Sequence, residues 1–261
     1  MTRKKVGLAL GGGAARGLAH IGVLEVLERE GIPIDMIAGT SIGALVGGFY
    51  ACTRDLTQMK TLAQEVGRKR LYYFTDFGIP RTGLIRWTRV ENRLKKVIGG
   101  ATFADRAVPF SCVAMDFDNA EELVLDSGPV WEAMRASATI PAVLALTTIR
   151  GRRLIDGGIS NPVPVSALRK MGADFIIAVN VLPKRTPVDS REANIFTIMV
   201  KTVYLLSYRV MESSLSGADV VIQPQTDEIG LADFQRTEEC FELGRVAAEQ
   251  AVPDIKRMLG M

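Results

Sequence analysis

A serine framed by glycines stands at residues 37–46, IAGTSIGALV, where Gly39, Thr40, Ser41, Ile42 and Gly43 form a G-x-S-x-G pattern. Small residues on both sides let a chain bend sharply from strand to helix and leave the hydroxyl exposed, the setting of a nucleophilic serine. A nucleophilic serine needs a base. The sequence has one histidine, His20, and it precedes the serine, so the order serine, acid, histidine of an α/β-hydrolase triad is excluded. His20 could reach the serine only if the first helix aimed it there; beside Leu18, Ala19 and Ile21 it reads rather as a packed side chain. A carboxylate remains. Asp156 ends the apolar run of LIDGGISNPVPV and is followed by Gly157 and Gly158, which leave little to obstruct its approach to a neighbouring loop. The alternative for Asp156 is an ordinary Asp-Gly hairpin turn.

A second glycine-rich turn, GGGAARG, spans Gly11 to Gly17. Its backbone N–H groups could hold a phosphate or stabilise an oxyanion. With Arg16 in the run it is not a G-x-G-x-x-G fingerprint, and it lacks the G-K-[ST] of a phosphate-binding P-loop. For the serine turn, the competing reading is a helix N-cap by Thr40 or Ser41.

The elements that must position these groups follow from periodicity. KVGLAL stops at the glycine run, and Leu18, Ile21, Leu24 and Leu27 then recur at helical spacing up to Gly31 and Pro33. IDMIAG reads as a second strand and SIGALVGGFYAC as the next helix, a strand–turn–helix repeat that signals parallel α/β packing with both glycine turns on one edge. Residues 53–100 read as charged and irregular, with no clear strand. Strand patterns return in PFSCVAMDF, EELVLD, RRLIDGG, DFIIAVNV and ADVVIQP. GPVWEAMRASATIP reads as a helix ended by Pro141, and the segment from Asp233 to Gly260 as an amphipathic helix.

Length and charge narrow the classes. The 261 residues suffice for a sizeable core, and no linker or repeat divides them, so a single domain over 1–261 is expected. A net charge of +3 without a clustered patch does not indicate nucleic acid. Cys52, Cys112 and Cys240, widely spaced and odd in number, read as buried thiols in a reducing compartment. The N-terminus reads as a first strand rather than a signal peptide. IFTIMVKTVYLLSYRVM carries Lys201 and Arg209 and falls short of the roughly 18 uninterrupted apolar residues of a span, so a mostly buried helix is expected. Residues 67–87 combine Arg68, Lys69, Arg70, Arg81 and Arg86 with Tyr72, Tyr73, Phe74, Phe77 and Trp87, which suits either an anionic lipid interface or a solvated loop pinned by aromatics.

GGGAARG, GTSIG and DGG, in this order and with these gaps, together with RASATIP (Arg135 to Pro141), resemble the patatin-like phospholipase family from Val6 to the C-terminal helix. The resemblance implies a three-layer α/β/α fold with a central, mostly parallel sheet. It also implies a dyad of Ser41 as nucleophile and Asp156 as base, and an oxyanion hole from the backbone N–H groups of Gly11, Gly12, Gly13 and Ala14. Arg16 matches the basic position of the family's glycine loop, Gly17, Gly39, Gly43, Gly157 and Gly158 complete the motifs, and His20 has no catalytic role. The implied substrate is a phospholipid, lysophospholipid or other fatty acyl ester, handled without cofactor or metal. The corresponding expectation is a cytoplasmic protein, in peripheral contact with a lipid surface such as the inner membrane. An acyl transferase on the same site and a non-catalytic phosphate- or nucleotide-binding module are the alternatives. A carboxylate with an ordinary pKa of about 4 accepts a hydroxyl proton poorly, so the dyad requires a short hydrogen bond, exclusion of water and an upward pKa shift.

Overall fold

The structure, a computed structural model, describes residues 3–74, 76, 83–183 and 195–261. Its main sheet contains β1 (Val6–Leu10), β2 (Met36–Thr40), β4 (Phe110–Asp116), β5 (Glu122–Leu125), β7 (Thr147–Ile149), β8 (Arg152–Asp156), β9 (Phe175–Val179) and β10 (Val220–Ile222). The strand order is β10-β9-β1-β2-β4-β8-β7, with β5 also paired to β4. The pairings from β10 through β4 are parallel, and those of β4 with β5 and β8, and of β7 with β8, are antiparallel. A separate pair joins β3 (Gly83–Ile85) to β6 (Ala142–Leu144).

The central strands are apolar without interruption because both of their faces are covered. On β1, Val6, Leu8 and Leu10 enter one core while Ala9 enters another; on β9, Phe175, Ile177 and Val179 part in the same way from Ile176 and Ala178. The first core is closed by α1 (Ala19–Arg29), α2 (Ile42–Thr53), α6 (Val130–Ser137) and α10 (Thr237–Leu259), the second by α7 (Val165–Met171) and the short α9 (Met211–Leu215). This is the expected three-layer α/β/α architecture.

One feature of the register positions the chemistry. A strand has two edges, and β5 occupies one edge of β4 from Cys112 to Met115. The other edge is shared: β2 follows it as far as Val113, opposite Thr40, and β8 takes over at Ala114, opposite Asp156. Because β2 runs parallel to β4 and β8 antiparallel, their C-terminal ends meet head to head. The turn after β2 carries Ser41, and β8 ends on Asp156.

The structure corrects two expectations. Residues 53–100 are largely helical, with α3 (Leu56–Arg68), α4 (Arg70–Phe74) and α5 (Thr88–Ile98), and they include β3. Their charge is the solvent face of amphipathic helices: Leu56, Met59, Leu62 and Val66 line one side of α3, whose N-cap Asp55 accepts from the Gln58 N–H at 2.8 Å. The second correction concerns α8 (Ile195–Arg209), which is not mostly buried, since Ile198, Leu205, Leu206 and Tyr208 are exposed. Among the described residues no helix is long and apolar enough to cross a membrane.

Candidate active site

Ser41 is the residue between β2 and α2, with φ 56° and ψ −125°. A non-glycine residue with positive φ is strained by about 1–3 kcal/mol and persists where its surroundings enforce it. Here the Ser41 N–H donates to Ser137 Oγ at 3.0 Å, and Ser137 Oγ donates to the Val113 carbonyl of β4 at 2.6 Å. The flanking glycines allow the backbones to close in. A Cβ on Gly43 would lie 2.1 Å from the Leu10 carbonyl oxygen, one on Gly39 2.5 Å from that of Gly43, and one on Gly17 2.1 Å from Ile42 Cγ2. The N-cap reading fails: the Ser41 side chain caps no N–H, and Thr40 Oγ1 donates to the Asn161 carbonyl at 2.8 Å.

Ser41 Oγ instead donates to Asp156 Oδ2 at 2.6 Å, and both residues are buried. The other carboxylate oxygen, Oδ1, accepts the Gly158 N–H at 2.8 Å. The Asp156 N–H donates to the Thr139 carbonyl at 2.8 Å, so the RASATIP segment grips both partners, Ser41 through Ser137 and Asp156 through Thr139. Gly157 lets this turn press onto β4, where a Cβ would lie 2.3 Å from the Val113 carbonyl oxygen. Burial pushes the Asp156 carboxyl up to about 6, against the opposing pull of the Ser41 and Gly158 hydrogen bonds. The hairpin reading of Asp-Gly also fails, because a short 3-10 turn over Gly157–Ile159 follows β8.

The glycine loop lies against the serine: a Cβ on Gly12 would stand 3.3 Å from Ser41 Cβ. Its N–H groups are not equivalent. Those of Gly11 and Gly12 donate to the Val179 and Pro162 carbonyls at 3.0 and 2.9 Å, which takes them out of the expected set of anion donors. Those of Gly13 and Ala14 have no acceptor among the described residues. His20 Nε2 meets the Gly11 carbonyl at 2.7 Å, and burial pushes the imidazole down to about 4, so the neutral ring donates from Nε2. The Gly11–Gly12 peptide is thereby fixed at both ends, by His20 on its oxygen and Pro162 on its nitrogen. Arg16 is buried and donates from Nε to the Ile229 carbonyl at 2.7 Å, tying the loop to the chain before α10.

These fates give a testable consequence for the loop. Gly13→Ala would place a Cβ 2.5 Å from Val181 Cγ2 and displace the two free N–H groups. Turnover is expected to fall by about 100-fold with a smaller change in KM, because such donors act mainly on charge that develops in the transition state. Steady-state kinetics on a soluble ester check this; unchanged kcat with a raised KM would mark a binding loop instead.

Over the pair lies a cavity of about 10 Å³, lined by Gly12, Ser41, Asp156, Ile140, Leu182 and, from α8, Val203, Tyr204 and Ser207. The α8 residues escape sequence reasoning, since an apolar helix does not announce which neighbour it covers; RASATIP marks the segment of Ser137 and Thr139 but not the hydrogen bonds they make. Burial and the nearby Asp156 charge raise the Tyr204 phenol, against Arg16, so it stays protonated. A larger concavity, about 490 Å³, lies between α1 and α3 among Glu25, Glu28, Arg29 and Lys60, away from Ser41 and Asp156. The aromatic and basic segment 67–87 divides: Tyr73 and Trp87 are buried, Tyr72 is exposed beneath Arg89 at 4.3 Å, and Phe77 and Arg81 lie outside the described residues. Cys52, Cys112 and Cys240 are free thiols, Cys52 being only half-buried.

The family model described as Patatin-like phospholipase matches residues 8–169. The "Lysophospholipase NTE1" of Debaryomyces hansenii is 29% identical over 95% of this chain, which spans 18% of that protein. An uncharacterized NTE family protein of Mycobacterium bovis is 36% identical over 68% of the chain and 49% of its own length. Among solved structures, VipD from Legionella pneumophila shares the fold with a TM-score of 0.56 at 12% identity, over 97% of this chain and 67% of that one.

Proposed function

Because the chain belongs to the patatin-like phospholipase family, we propose that it is a serine-dependent lipid acyl hydrolase in which Ser41 is the nucleophile and Asp156 its base. The observation that carries this reading is the buried 2.6 Å hydrogen bond from Ser41 Oγ to Asp156 Oδ2 beside a glycine loop whose Gly13 and Ala14 N–H groups have no acceptor among the described residues. As Ser41 Oγ attacks the ester carbonyl, its proton passes to Asp156 Oδ2, and the Gly13 and Ala14 N–H groups stabilise the oxyanion. Collapse of the tetrahedral intermediate returns that proton from Asp156 to the departing alcohol and leaves an acyl-enzyme on Ser41. Water then enters; Asp156 takes its proton as it attacks, and the second collapse returns the proton to Ser41 and frees the fatty acid. One carboxylate serves all four transfers, and a group raised to about 6 is ionised near neutral pH yet basic enough to accept them. On this reading residues 1–261 form one catalytic domain, and lysophospholipid is the substrate class that the curated relatives' name supports.

Release of fatty acid from a lysophosphatidylcholine tests the activity, and its pH profile tests the base. Asp156 must be ionised to act, so kcat/KM is expected to be flat above pH 7 and to fall about tenfold per pH unit below about 6. A profile that stays level through pH 6 and declines only near the ordinary carboxylate range would contradict the raised, desolvated base.

A further inference from the structure

A helix at the surface of a globular protein turns its apolar stripe inward and its polar side outward. The inner face of α8 obeys this, with Val200, Val203, Tyr204 and Ser207 toward the body of the protein. The outer face does not. At helical spacing Ile198, Thr202, Leu205 and Arg209 form one row, flanked by Leu206 and Tyr208, and the four large apolar side chains there are 46% to 55% exposed. Helix α8 rests on the Gly157–Ile159 turn after Asp156 and on β6, so its inner face closes the site.

The space behind α8 is far too small for the proposed substrate. A cavity of about 10 Å³ holds at most one water, whereas pockets for drug-sized ligands run to several hundred Å³. An acyl chain can reach Ser41 only if the cover moves. Among the described residues α8 forms no ion pair, and the side-chain hydrogen bonds of Thr202 and Ser207 return to its own carbonyls at Ile198 and Val203. The charges on the helix are cations, Lys201 and Arg209, beside the apolar row. Apolar side chains beside lysine and arginine match a bilayer interface carrying anionic headgroups.

We infer that the outer face of α8 (Ile198, Leu205, Leu206 and Tyr208, with Lys201 and Arg209) docks onto the surface of an anionic lipid aggregate, and that this docking draws the inner face off Ser41 and Asp156. The inference rests on the lipid hydrolase reading for its second half, and the two fail separately in the test below. Docking exchanges the contacts that hold α8 over the site for burial of its outer face in lipid, so the site opens where its substrate is.

The test uses sedimentation with vesicles of equal parts phosphatidylcholine and phosphatidylglycerol, in a Ser41→Ala background so that no lipid is consumed. Leu205→Glu with Leu206→Glu is expected to weaken binding by at least about tenfold, since two apolar side chains are lost and two like charges face the surface. Lys201→Gln and Arg209→Gln are each expected to weaken it by about fivefold at low salt and by little at high salt. In the Ser41 protein, hydrolysis of lysophosphatidylglycerol, whose micelles are anionic, is expected to jump as the substrate passes from monomers to micelles, and Leu205→Glu with Leu206→Glu should remove that jump. Vesicle binding unchanged in both sets of variants, with circular dichroism of the folded protein, overturns the docking surface even if hydrolysis is robust. Binding that responds as expected, in a protein that hydrolyses no ester, sustains the surface and removes the hydrolase reading.

Discussion

Ser41→Ala is expected to lower ester hydrolysis by at least about a thousandfold, the scale on which serine hydrolases lose turnover with their nucleophile. The expectation follows from geometry: Ser41 is the residue held at φ 56° on the turn, and its hydroxyl is donated to a buried carboxylate. Alanine keeps the backbone position and removes the one atom that can carry the acyl group. It also removes a donor from Asp156 Oδ2, and a buried acceptor left without a partner costs about 1–3 kcal/mol. Thermal melts at pH 5 and pH 8 therefore belong beside the assay, with the larger loss of stability expected at pH 8, where the carboxylate is ionised. A folded Ser41→Ala protein with near wild-type turnover would refute the nucleophile.

Asp156→Asn is expected to be just as inactive and, at alkaline pH, more stable than wild type. The amide keeps the shape but has no carboxylate to accept the proton. Stability moves the other way because the native fold raises this group from 3.8 to about 6, a difference equivalent to about 3 kcal/mol. A raised carboxyl favours folding in its protonated form, so wild type is relatively destabilised when the group is ionised above pH 6, and that handicap disappears as the pH falls toward 4. The Asn variant never carries it. Its advantage in denaturant midpoint should thus be full at pH 8 and gone near pH 4; an advantage independent of pH would mean that Asp156 is not a desolvated anion. His20→Gln is the comparison that separates the dyad from a histidine base. With His20 on the Gly11 carbonyl, this variant should keep substantial turnover, and a folded, inactive His20→Gln protein would sink the dyad.

Ser41 and Asp156 both stand in short motifs because the backbone demands there are local. A sharp turn after a strand needs glycine at Gly39 and Gly43, and the approach to β4 needs Gly157, so residue type alone marks the places. What brings Asp156 to Ser41 is not local. It depends on β8 entering antiparallel on the edge that β2 vacates after Thr40, and nothing in RRLID dictates a direction. The same limit hides which glycine-loop N–H groups are free, because the Val179 and Pro162 acceptors lie far along the chain. The helices of residues 56–68 and 88–98 were legible in principle, through Asp55 three residues before Gln58 and through Val90, Leu94 and Ile98, but the density of charge around them obscures the apolar period. Helix α8 shows the converse: apolarity predicts burial, and Ile198, Leu205, Leu206 and Tyr208 face outward.

The proposed activation of Ser41 by Asp156 is tested most directly by reaction with a fluorophosphonate, followed by peptide mapping of the labelled site in wild type and in Asp156→Asn. Ser41 should carry the adduct in the wild-type protein at neutral pH, with labelling lost from Asp156→Asn and from wild type well below pH 6. An adduct on another serine, or equal labelling of Ser41 with and without the Asp156 carboxylate, would contradict the dyad.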